Sequence, residues 1–270
     1  MDFVCPKCKG VLALLDNGVK RCPSGHSFDR AKEGYYNLFL GTGGTHGDNK
    51  DMVLSRRAFL SKGYYRPLAE ALSHAVLEAT PDGGTFLDSG CGEGYYTSIV
   101  LDSFEKENKN SNFLAYDISK DAVKLAAKAC PRVSFCVASS YSMPLSDGSV
   151  DTVMNVFSPL APDEVKRVLA PKGHFIFAFP KERHLFGLKS VLYDNPYLNR
   201  PEDTDLDGFS LIGSLDVDYT VTLGCAEDIK ALFMMTPYAY RTPREGRERL
   251  YALNSLATEI SFRILTYKKL

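Results

Sequence analysis

Long apolar segments and export signals are missing from this sequence of 270 residues. It has no run of about 18 apolar residues, the length from which a membrane-spanning helix is built. The first five residues lack the charged and apolar regions of a secretory signal peptide. Seven cysteines include a C-x-x-C pair, which fits a reducing compartment and a metal site better than disulfide bonds. We therefore expect a cytoplasmic protein with no membrane partner.

Two common glycine-rich nucleotide signatures are also missing. Residues 85–98 contain neither the G-x-G-x-x-G spacing of a dinucleotide site nor the lysine of a P-loop. Instead, two apolar residues lead to Asp88, and three alternate glycines follow, Gly90, Gly92 and Gly94. This pattern predicts a buried strand, a tight loop and a helix. Glycines let the loop approach a ligand, and the helix N-terminus offers unpaired N–H groups, so we expect a ligand site here.

Length and composition allow one large α/β domain with a small appendage. The net charge of −1 is unevenly spread, because residues 1–70 carry 11 lysine and arginine residues against 7 acidic ones. A basic N-terminal part is compatible with a polyanionic partner. A cluster of four cations lies ahead of the glycine loop, namely Arg56, Arg57, Lys62 and Arg66. These residues could bind such a partner or simply form a solvated helix face, and the two interpretations have equal weight.

Four residues with metal-ligand chemistry frame a predicted hairpin near the N-terminus. Cys5 and Cys8 form a C-P-x-C pair, Cys22 and His26 belong to a C-P-x-G-H segment, and an Asn-Gly turn signal lies between them. Three thiolates and an imidazole favour tetrahedral zinc. Because the protein fills all four positions, the site should be structural and should stabilise a segment too small for its own core.

The segment between this hairpin and the glycine loop predicts a connection. Aromatic residues at 28–39 should pack the zinc module against the main domain, with stacking on RNA bases as the alternative. Residues 41–50 hold four glycines and predict a flexible linker. Residues 51–60 and 68–79 predict helices, the second of them amphipathic and leading into the strand before Asp88.

Beyond the glycine loop, predicted strands alternate with helices, the pattern of a doubly wound, mostly parallel sheet. Strands are predicted at 112–117, 133–137, 150–157 and 174–179, helices at 122–129 and 162–169, and last strands at 218–223 and 260–267. Asp117 ends the second strand of this series. A carboxylate there can accept hydrogen bonds from both hydroxyls of a ribose, with a simple turn cap as the alternative.

Together these motifs resemble those of the bacterial 23S rRNA guanine-N1 methyltransferases over nearly the whole chain. The D-x-G-C-G-E-G loop resembles motif I of class I S-adenosylmethionine-dependent methyltransferases. The other matching stretches are the C-P-x-C…C-x3-H pattern, Gly-Asp-Asn-Lys at 47–50, Arg-Arg-Ala-Phe-Leu at 56–60, Val-Ala-Ser-Ser at 137–140, Ser-Pro at 158–159, Arg-His-Leu at 183–185 and Met-Thr-Pro at 235–237. The resemblance implies an α/β, Rossmann-like class I methyltransferase fold with a small N-terminal zinc-binding hairpin domain.

The resemblance also implies a division of the chain and a set of site residues. The divisions are 1–38 for the zinc-binding domain, 39–62 for a linker and helix, and 63–270 for the methyltransferase domain. The implied zinc ligands are Cys5, Cys8, Cys22 and His26. The implied S-adenosylmethionine-binding residues are Tyr65, Asp88, Gly90, Gly92, Gly94, Tyr95, Tyr96, Asp117 and His184.

The implied activity is methylation of N1 of a guanine in a 23S rRNA hairpin that lines the peptide exit tunnel. Macrolides reach that region, so a link to macrolide susceptibility or resistance follows as an expectation. A homodimer stays open. Two alternatives compete, a methyltransferase for small molecules or proteins and a non-enzymatic RNA-binding protein. The intact motif with Asp88 and Asp117 disfavours the second, and the zinc hairpin with the basic N-terminal part disfavours the first.

The chemistry at guanine N1 makes its own demands. The methyl donor carries a good leaving group, so the protein mainly aligns the reacting atoms. N1 is protonated at neutral pH and lies on the Watson–Crick edge, so its proton must leave and the base must be unpaired. Asn155, Ser158 and His184 are the candidate catalytic residues, because they follow strand ends that face the cofactor. The general base is not assigned among them.

Overall fold

The N-terminal residues form a small antiparallel sheet. In the computed structural model, which describes residues 2–41 and 47–270, the strands β1 (Ala13–Leu14), β2 (Lys20–Arg21) and β3 (Ser27–Phe28) lie side by side. Gly18 has a φ of +80° in the turn between β1 and β2, as the Asn-Gly signal requires. The predicted hairpin is therefore confirmed. Half of the flexible linker predicted at 41–50, residues 42–46, lies outside the described residues, and Lys50 already belongs to the next helix.

The remaining elements alternate between helices and strands. They are β4 (Tyr36–Asn37), α1 (Lys50–Leu60), α2 (Arg66–Ala79), β5 (Thr85–Ser89), α3 (Tyr95–Lys106), β6 (Asn112–Asp117), α4 (Lys120–Ala129), β7 (Ser134–Val137), β8 (Val150–Val156), α5 (Pro162–Val168), β9 (Leu169–Pro180), α6 (Phe186–Leu192), β10 (Phe209–Leu223), α7 (Ala226–Met234), α8 (Tyr238–Arg241), α9 (Arg244–Tyr251) and β11 (Leu256–Lys269). Among these described helices, none has the length and apolar character needed to cross a membrane.

Eight strands form one large sheet in the order β10-β11-β9-β8-β5-β6-β7-β4. Strands β4 to β9 are parallel, whereas β11 pairs antiparallel with both β9 and β10. The strand order reverses at β5, which lies between β6 and β8. In open α/β sheets, the crevice beyond the carboxyl ends of the strands at such a reversal holds the ligand. The predicted mostly parallel α/β fold is confirmed.

The two faces of this sheet bury two separate cores. One face packs against most of the helices, through residues such as Val100 of α3, Val123 of α4 and Leu188 of α6. The other face packs against α5 and against the N-terminal module, which contributes Phe3 and Leu12 to the same core. The module thus covers part of the sheet that helices would otherwise cover.

The aromatic stretch after the module connects it to both cores. Tyr35 is buried in the helix-covered core, and its neighbour Tyr36 is buried in the other. Strand β4 pairs in parallel with β7, and Leu38 N–H donates to the carbonyl of Val137 at 3.0 Å. The predicted packing role of these aromatic residues is therefore confirmed. These residues also add a strand to the large sheet, which the sequence did not predict.

Helix α1 begins at a side-chain cap and lies across the sheet edge that carries the crevice. The Asn49 side chain accepts a hydrogen bond from Met52 N–H at 3.0 Å, which satisfies one of the unpaired donors of the first turn. Val53 and Phe59 are buried on its inner side, and the helix packs against α7. This packing fixes the position of Arg56 over the glycine loop.

The last strands are far longer than the ranges predicted for them. Strands β10 and β11 pair along their whole length, although predictions covered only 218–223 and 260–267. Strand β10 is a sheet edge with few buried residues, so its side chains are not restricted to an apolar alternation. Asp216 on this strand pairs with Lys181 and Arg263. Charged cross-strand pairs of this kind stabilise a strand without leaving a hydrophobic pattern.

We predict that the module and the sheet unfold together. Replacing Phe3 with alanine removes a ring that is 1% exposed in the shared core and should cost about 3–5 kcal/mol. Thermal unfolding followed by circular dichroism should then show one transition lowered by roughly 10 °C. Leu14→Ala is the control, because Leu14 is 64% exposed. An unchanged main transition in Phe3→Ala would show that the two parts fold independently.

Candidate active site and metal centre

The four predicted metal ligands converge at one point of the module. Their ligand atoms all lie within 4.8 Å of one another. The His26 Nδ1 atom is 3.5 Å from Cys5 Sγ and 3.4 Å from Cys22 Sγ, and the Cys8 and Cys22 sulfurs are 3.5 Å apart. A zinc tetrahedron with bonds of about 2.3 Å to sulfur and 2.0 Å to nitrogen has edges of about 3.5–3.8 Å. A structural zinc ion therefore fits these four side chains.

A cavity of about 1440 Å³ opens beyond the carboxyl ends of β5, β6 and β8. Seven of the predicted site residues line it, namely Tyr65, Gly90, Gly92, Tyr96, Asp117, Ser158 and His184. Four others are not among its lining residues, namely Asp88, Gly94, Tyr95 and Asn155. Pockets for one drug-sized ligand usually measure about 300–1,000 Å³, so this cavity has room for a second group beside a cofactor.

The glycine loop is tied to the end of β6. The N–H groups of Gly90 and Cys91 both donate to the carbonyl of Tyr116 at 2.9 Å. Gly92 N–H donates to one carboxylate oxygen of Asp117 at 2.9 Å, and Ser119 N–H donates to the other at 2.8 Å. Burial raises the pKa of Asp117 above its usual range, against the effect of these two donors. Each oxygen keeps a lone pair for a ligand hydroxyl.

The predicted residues outside the cavity wall hold the loop from behind. Asp88 is buried and accepts a hydrogen bond from the Thr97 hydroxyl at 2.6 Å, and burial raises the pKa of this carboxyl to about 7. Gly94 precedes α3 with a φ of +86°, and a Cβ atom there would lie 3.0 Å from that of Ala126 on α4. The role that the structure gives Asp88 and Gly94 is to position the loop and α3.

A buried histidine and tyrosine form the wall opposite the loop. His184 Nδ1 accepts a hydrogen bond from Ser261 N–H at 3.3 Å, so its Nε2 atom carries the proton and points at the Tyr65 hydroxyl at 3.3 Å. The imidazole packs on the Phe262 ring with 4.3 Å between centroids. Burial lowers the pKa of His184 to about 3, which keeps the ring neutral. Both nitrogens are therefore engaged within the wall.

Helix α1 covers the glycine loop with a half-buried ion pair. Arg56 pairs with Asp48, and its second guanidinium nitrogen donates to the carbonyl of Met235 at 3.4 Å. Burial lowers the pKa of Arg56, but Asp48 and Glu93 outweigh that effect and raise it overall. Glu93 is buried and also lines the cavity. Its position in the loop was visible in the sequence, but its burial beside Arg56 depends on a contact between distant segments.

Most of the predicted cationic cluster is paired with acids. Besides Arg56, Lys62 pairs with Asp228, and Arg66 pairs with Glu70 at 2.7 Å. Three of the four cations are thus engaged within the protein.

The three candidate catalytic residues differ in their access to the cavity. Asn155 is 1% exposed, and its side-chain oxygen has no hydrogen-bond partner within the described part of the chain. His184 lines the wall with both nitrogens occupied. Ser158 lines the cavity beside the glycine loop, because a Cβ atom at Gly90 would lie 2.1 Å from the Ser158 hydroxyl oxygen. Position 90 must therefore be glycine, because the Cβ atom of any other residue would overlap the Ser158 hydroxyl.

Several residues that line the cavity were not predicted. They include Phe157 after β8, Tyr197 and Arg200 after α6, and Arg241 at the end of α8. Phe157 was predicted to be the last residue of the strand at 150–157, but β8 ends at Val156. The other three lie after α6 or at the end of α8, two helices that the sequence did not predict. No motif marks them, so only the packing of these elements places their side chains at the cavity.

Two family models match different parts of the chain. A family model described as "Methyltransferase domain" matches residues 81–219, and one described as "RlmA, N-terminal", a zinc ribbon, matches residues 3–39. A "23S rRNA (guanine(748)-N(1))-methyltransferase" of Streptomyces fradiae is 38% identical over 191 residues, which cover 70% of this chain and 66% of that protein. A "Putative 23S rRNA (guanine-N(1)-)-methyltransferase" of Micromonospora griseorubida is 36% identical over 68% of this chain and 67% of that protein.

This chain belongs to the 23S rRNA (guanine-N1)-methyltransferase family. A "Putative 23S rRNA (guanine-N(1)-)-methyltransferase YxjB" of Bacillus subtilis is 28% identical over 97% of this chain and 95% of that protein. The resemblance drawn from the sequence motifs is confirmed. Two further predictions are confirmed with it. The protein is a methyltransferase, and its two cofactors are S-adenosylmethionine and a structural zinc ion.

We predict that Cys22→Ser releases the zinc ion. Cys22 is one of four ligands that fill a tetrahedral site, and a three-ligand remnant binds the metal far more weakly. Elemental analysis of carefully purified protein should find about one equivalent of zinc in the wild type and little in Cys22→Ser. Cys130→Ser, at a buried cysteine outside the cluster, should keep the metal. Less than about half an equivalent in the reduced wild type would contradict the assignment.

We also predict that Gly92→Val and Asp117→Ala each weaken binding of S-adenosylmethionine about a hundredfold. The first change puts a branched side chain at a φ of +55° on the cavity wall. The second removes a carboxylate worth roughly 2–3 kcal/mol in charge-assisted hydrogen bonds. Isothermal titration calorimetry measures both affinities. Gly148→Val is a matched control, because Gly148 also has a positive φ but lies outside the cavity. Wild-type affinity in both site variants would place the cofactor elsewhere.

Proposed function

We propose that this protein transfers a methyl group from S-adenosylmethionine to N1 of a guanine in a 23S rRNA hairpin near the peptide exit tunnel. The observation that carries the proposal is one large cavity, which joins the glycine loop and Asp117 to an aromatic and cationic region around Tyr197, Arg200 and Arg241. One part has the chemistry for a nucleoside-like cofactor, and the other has the chemistry for RNA.

The cofactor occupies the half of the cavity formed by the glycine loop. Asp117 accepts hydrogen bonds from its ribose hydroxyls with the lone pairs left free by Gly92 and Ser119. The Tyr96 hydroxyl is buried without a hydrogen-bond partner in residues 2–41 and 47–270, and a buried hydroxyl in this state favours a bound ligand that pairs with it. Tyr65 and His184 form the wall at the cofactor's other end.

The methyl group is carried on a sulfonium that is a good leaving group, so the protein has to hold the guanine in line and favour loss of its N1 proton. Of the three catalytic candidates, Ser158 is the residue that we assign to guanine O6. Its hydroxyl would donate a hydrogen bond to O6 and stabilise the charge that develops there as the N1 proton passes to water. Its hydroxyl is beside the glycine loop and faces the cavity. His184 is assigned to positioning, because its lone pair is taken by Ser261 and its pKa of about 3 keeps it neutral.

The RNA approaches over the segment that follows α6. Lys189 on α6 is fully buried and donates to the carbonyl of Tyr197 at 3.1 Å and to the Asn199 side chain at 2.5 Å. It thereby fixes this segment at the rim of the cavity. Arg200 and Arg241 are exposed on the rim and have no acidic partner within 4 Å among the residues that the structure describes. Free arginines are suited to phosphate contacts.

Three finer expectations stay predictions of this proposal. The protein acts in the cytoplasm, where ribosomal RNA is found. The homodimer is left open, and sedimentation velocity at micromolar protein concentrations would test it. Methylation near the exit tunnel is expected to change macrolide susceptibility, which growth of a deletion strain on a macrolide series would test.

We predict that Arg200 and Arg241 contribute to the salt dependence of RNA binding. Each arginine that contacts a phosphate adds close to one to the slope of log affinity against log salt. The double variant Arg200→Ala and Arg241→Ala should therefore bind a tunnel-region hairpin with a slope lower by about two. Lys62→Ala with Arg66→Ala is the matched control, because both of these cations are already paired with carboxylates.

The same preparations test the activity itself. Tritiated methyl groups should pass from the donor to 23S rRNA fragments, and N1-methylguanine should stop reverse transcriptase at one position, which maps the target. No transfer to any rRNA fragment by the wild type, with intact cofactor binding, would overturn the proposal and favour a small-molecule or protein substrate. Transfer with an unchanged salt slope in the double variant would move the RNA contacts to another surface.

A further inference from the structure

One aromatic residue at the cavity adopts a backbone conformation that its side chain disfavours. Phe157 directly follows β8 and has a φ of +57°. A left-handed conformation is a genuine outlier for a bulky residue and is found where the surrounding structure enforces it, often at functional sites. Among the described residues, five that are not glycine have positive φ, and the two apolar ones, Phe157 and Leu185, both line this cavity.

The backbone at this position is held firmly on both sides. Phe157 N–H donates to the carbonyl of Ala178 at 3.2 Å, which extends the pairing of β8 with β9. The next residue, Ser158, fills the space that Gly90 leaves beside the glycine loop. A glycine at position 157 would make the same turn without strain. The turn therefore does not explain why a phenylalanine stands here.

The ring itself is partly packed and partly free. It contacts the Phe262 ring at 4.9 Å between centroids with an interplanar angle of 33°, and Tyr96 meets it edge-on at 6.3 Å. Phe262 in turn packs on His184, so the three rings form one stack. Yet 43% of Phe157 remains exposed, and this exposed part lines the cavity next to the residues assigned to the cofactor.

We propose that Phe157 is the platform on which the extruded target guanine stacks. A base whose Watson–Crick edge is to be methylated must leave its helix or loop stack, and aromatic side chains replace the lost stacking. Phe262 supports the ring from behind, and Ser158 follows it directly, so a base lying on the exposed ring has its reactive edge near the glycine loop. This inference rests on the proposed function and names a residue that contacts the substrate.

Other aromatic residues at the cavity are less well placed. Tyr141 belongs to the loop after β7, and Tyr197 belongs to the rim segment fixed by Lys189. Neither adjoins the glycine loop as residues 157 and 158 do. Stacking on these tyrosines fits neighbouring nucleotides of the hairpin, whereas the reacting base has to lie at the end of β8.

The test compares ring and non-ring side chains at position 157. Phe157→Leu keeps the apolar volume but removes the aromatic face, and kcat/KM for a tunnel-region rRNA hairpin should fall about tenfold to a hundredfold. Phe157→Tyr keeps the ring and should stay within about threefold of the wild type. Cofactor affinity, measured by calorimetry, should be unchanged in both variants. Tyr251→Leu is the control, because Tyr251 is similarly exposed but lies outside the cavity.

A second measurement uses the wild type, so that it does not depend on how well the variants fold. The hairpin carries 6-thioguanine at the mapped position, and irradiation crosslinks it to side chains in direct contact. Mass spectrometry should find the crosslink at Phe157. A crosslink confined to Tyr141 or Tyr197, or wild-type kcat/KM in Phe157→Leu, would overturn the platform and leave the methyltransferase function standing. Absence of rRNA methylation by the wild type would overturn both.

Discussion

The hydrogen bond from Gly92 N–H to the carboxylate of Asp117 is the contact on which the rest of the site depends. It joins the loop after β5 to the end of β6, two points that are 25 residues apart in the chain. Because a carboxylate accepts strongly from backbone N–H groups, the loop is held open before a ligand arrives. Little ordering entropy then remains to be lost on binding. Asp88 and Gly94 support this arrangement from behind, through Thr97 and Ala126.

Both ends of the cavity are held by polar groups that are at least half-buried and already paired. On one side, Arg56 joins Asp48 above the loop. On the other side, Ser261 fixes the imidazole of His184, and Lys189 fixes the segment around Tyr197. Buried polar contacts of this kind specify one geometry at some cost in stability. The middle, where the methyl group is expected to move, is lined by Ser158 and the Phe157 ring.

The sequence predicted the parts of this molecule whose signals are local. The zinc ligands, the glycine loop and Asp117 were recognised because strand ends, turns and ligand spacing are fixed by a few adjacent residues. The length of β10 was not predicted, because an edge strand takes its stability from cross-strand pairs such as Asp216 with Arg263.

The sequence also did not predict the role of Arg56 or the left-handed turn at Phe157. Arg56 was recognised as a cation, but its pairing with Asp48 depends on the path of α1 over the loop. Phe157 ends an ordinary apolar run before Ser-Pro, and nothing in that run marks it as the residue with a positive φ. Such features arise from contacts between distant segments, and local propensity does not encode them.

The two-residue strand β4 covers one edge of the large sheet. An open edge of a sheet offers unpaired N–H and C=O groups to any other extended chain. At one end of the large sheet, β4 pairs with β7, and its position depends on the module that precedes it. At the other end, β10 carries charged residues and a register shift between Leu211 and Gly213, both of which discourage pairing with a further strand. Loss of the metal would therefore loosen β4 and expose backbone N–H and C=O groups of β7 to pairing with another extended chain.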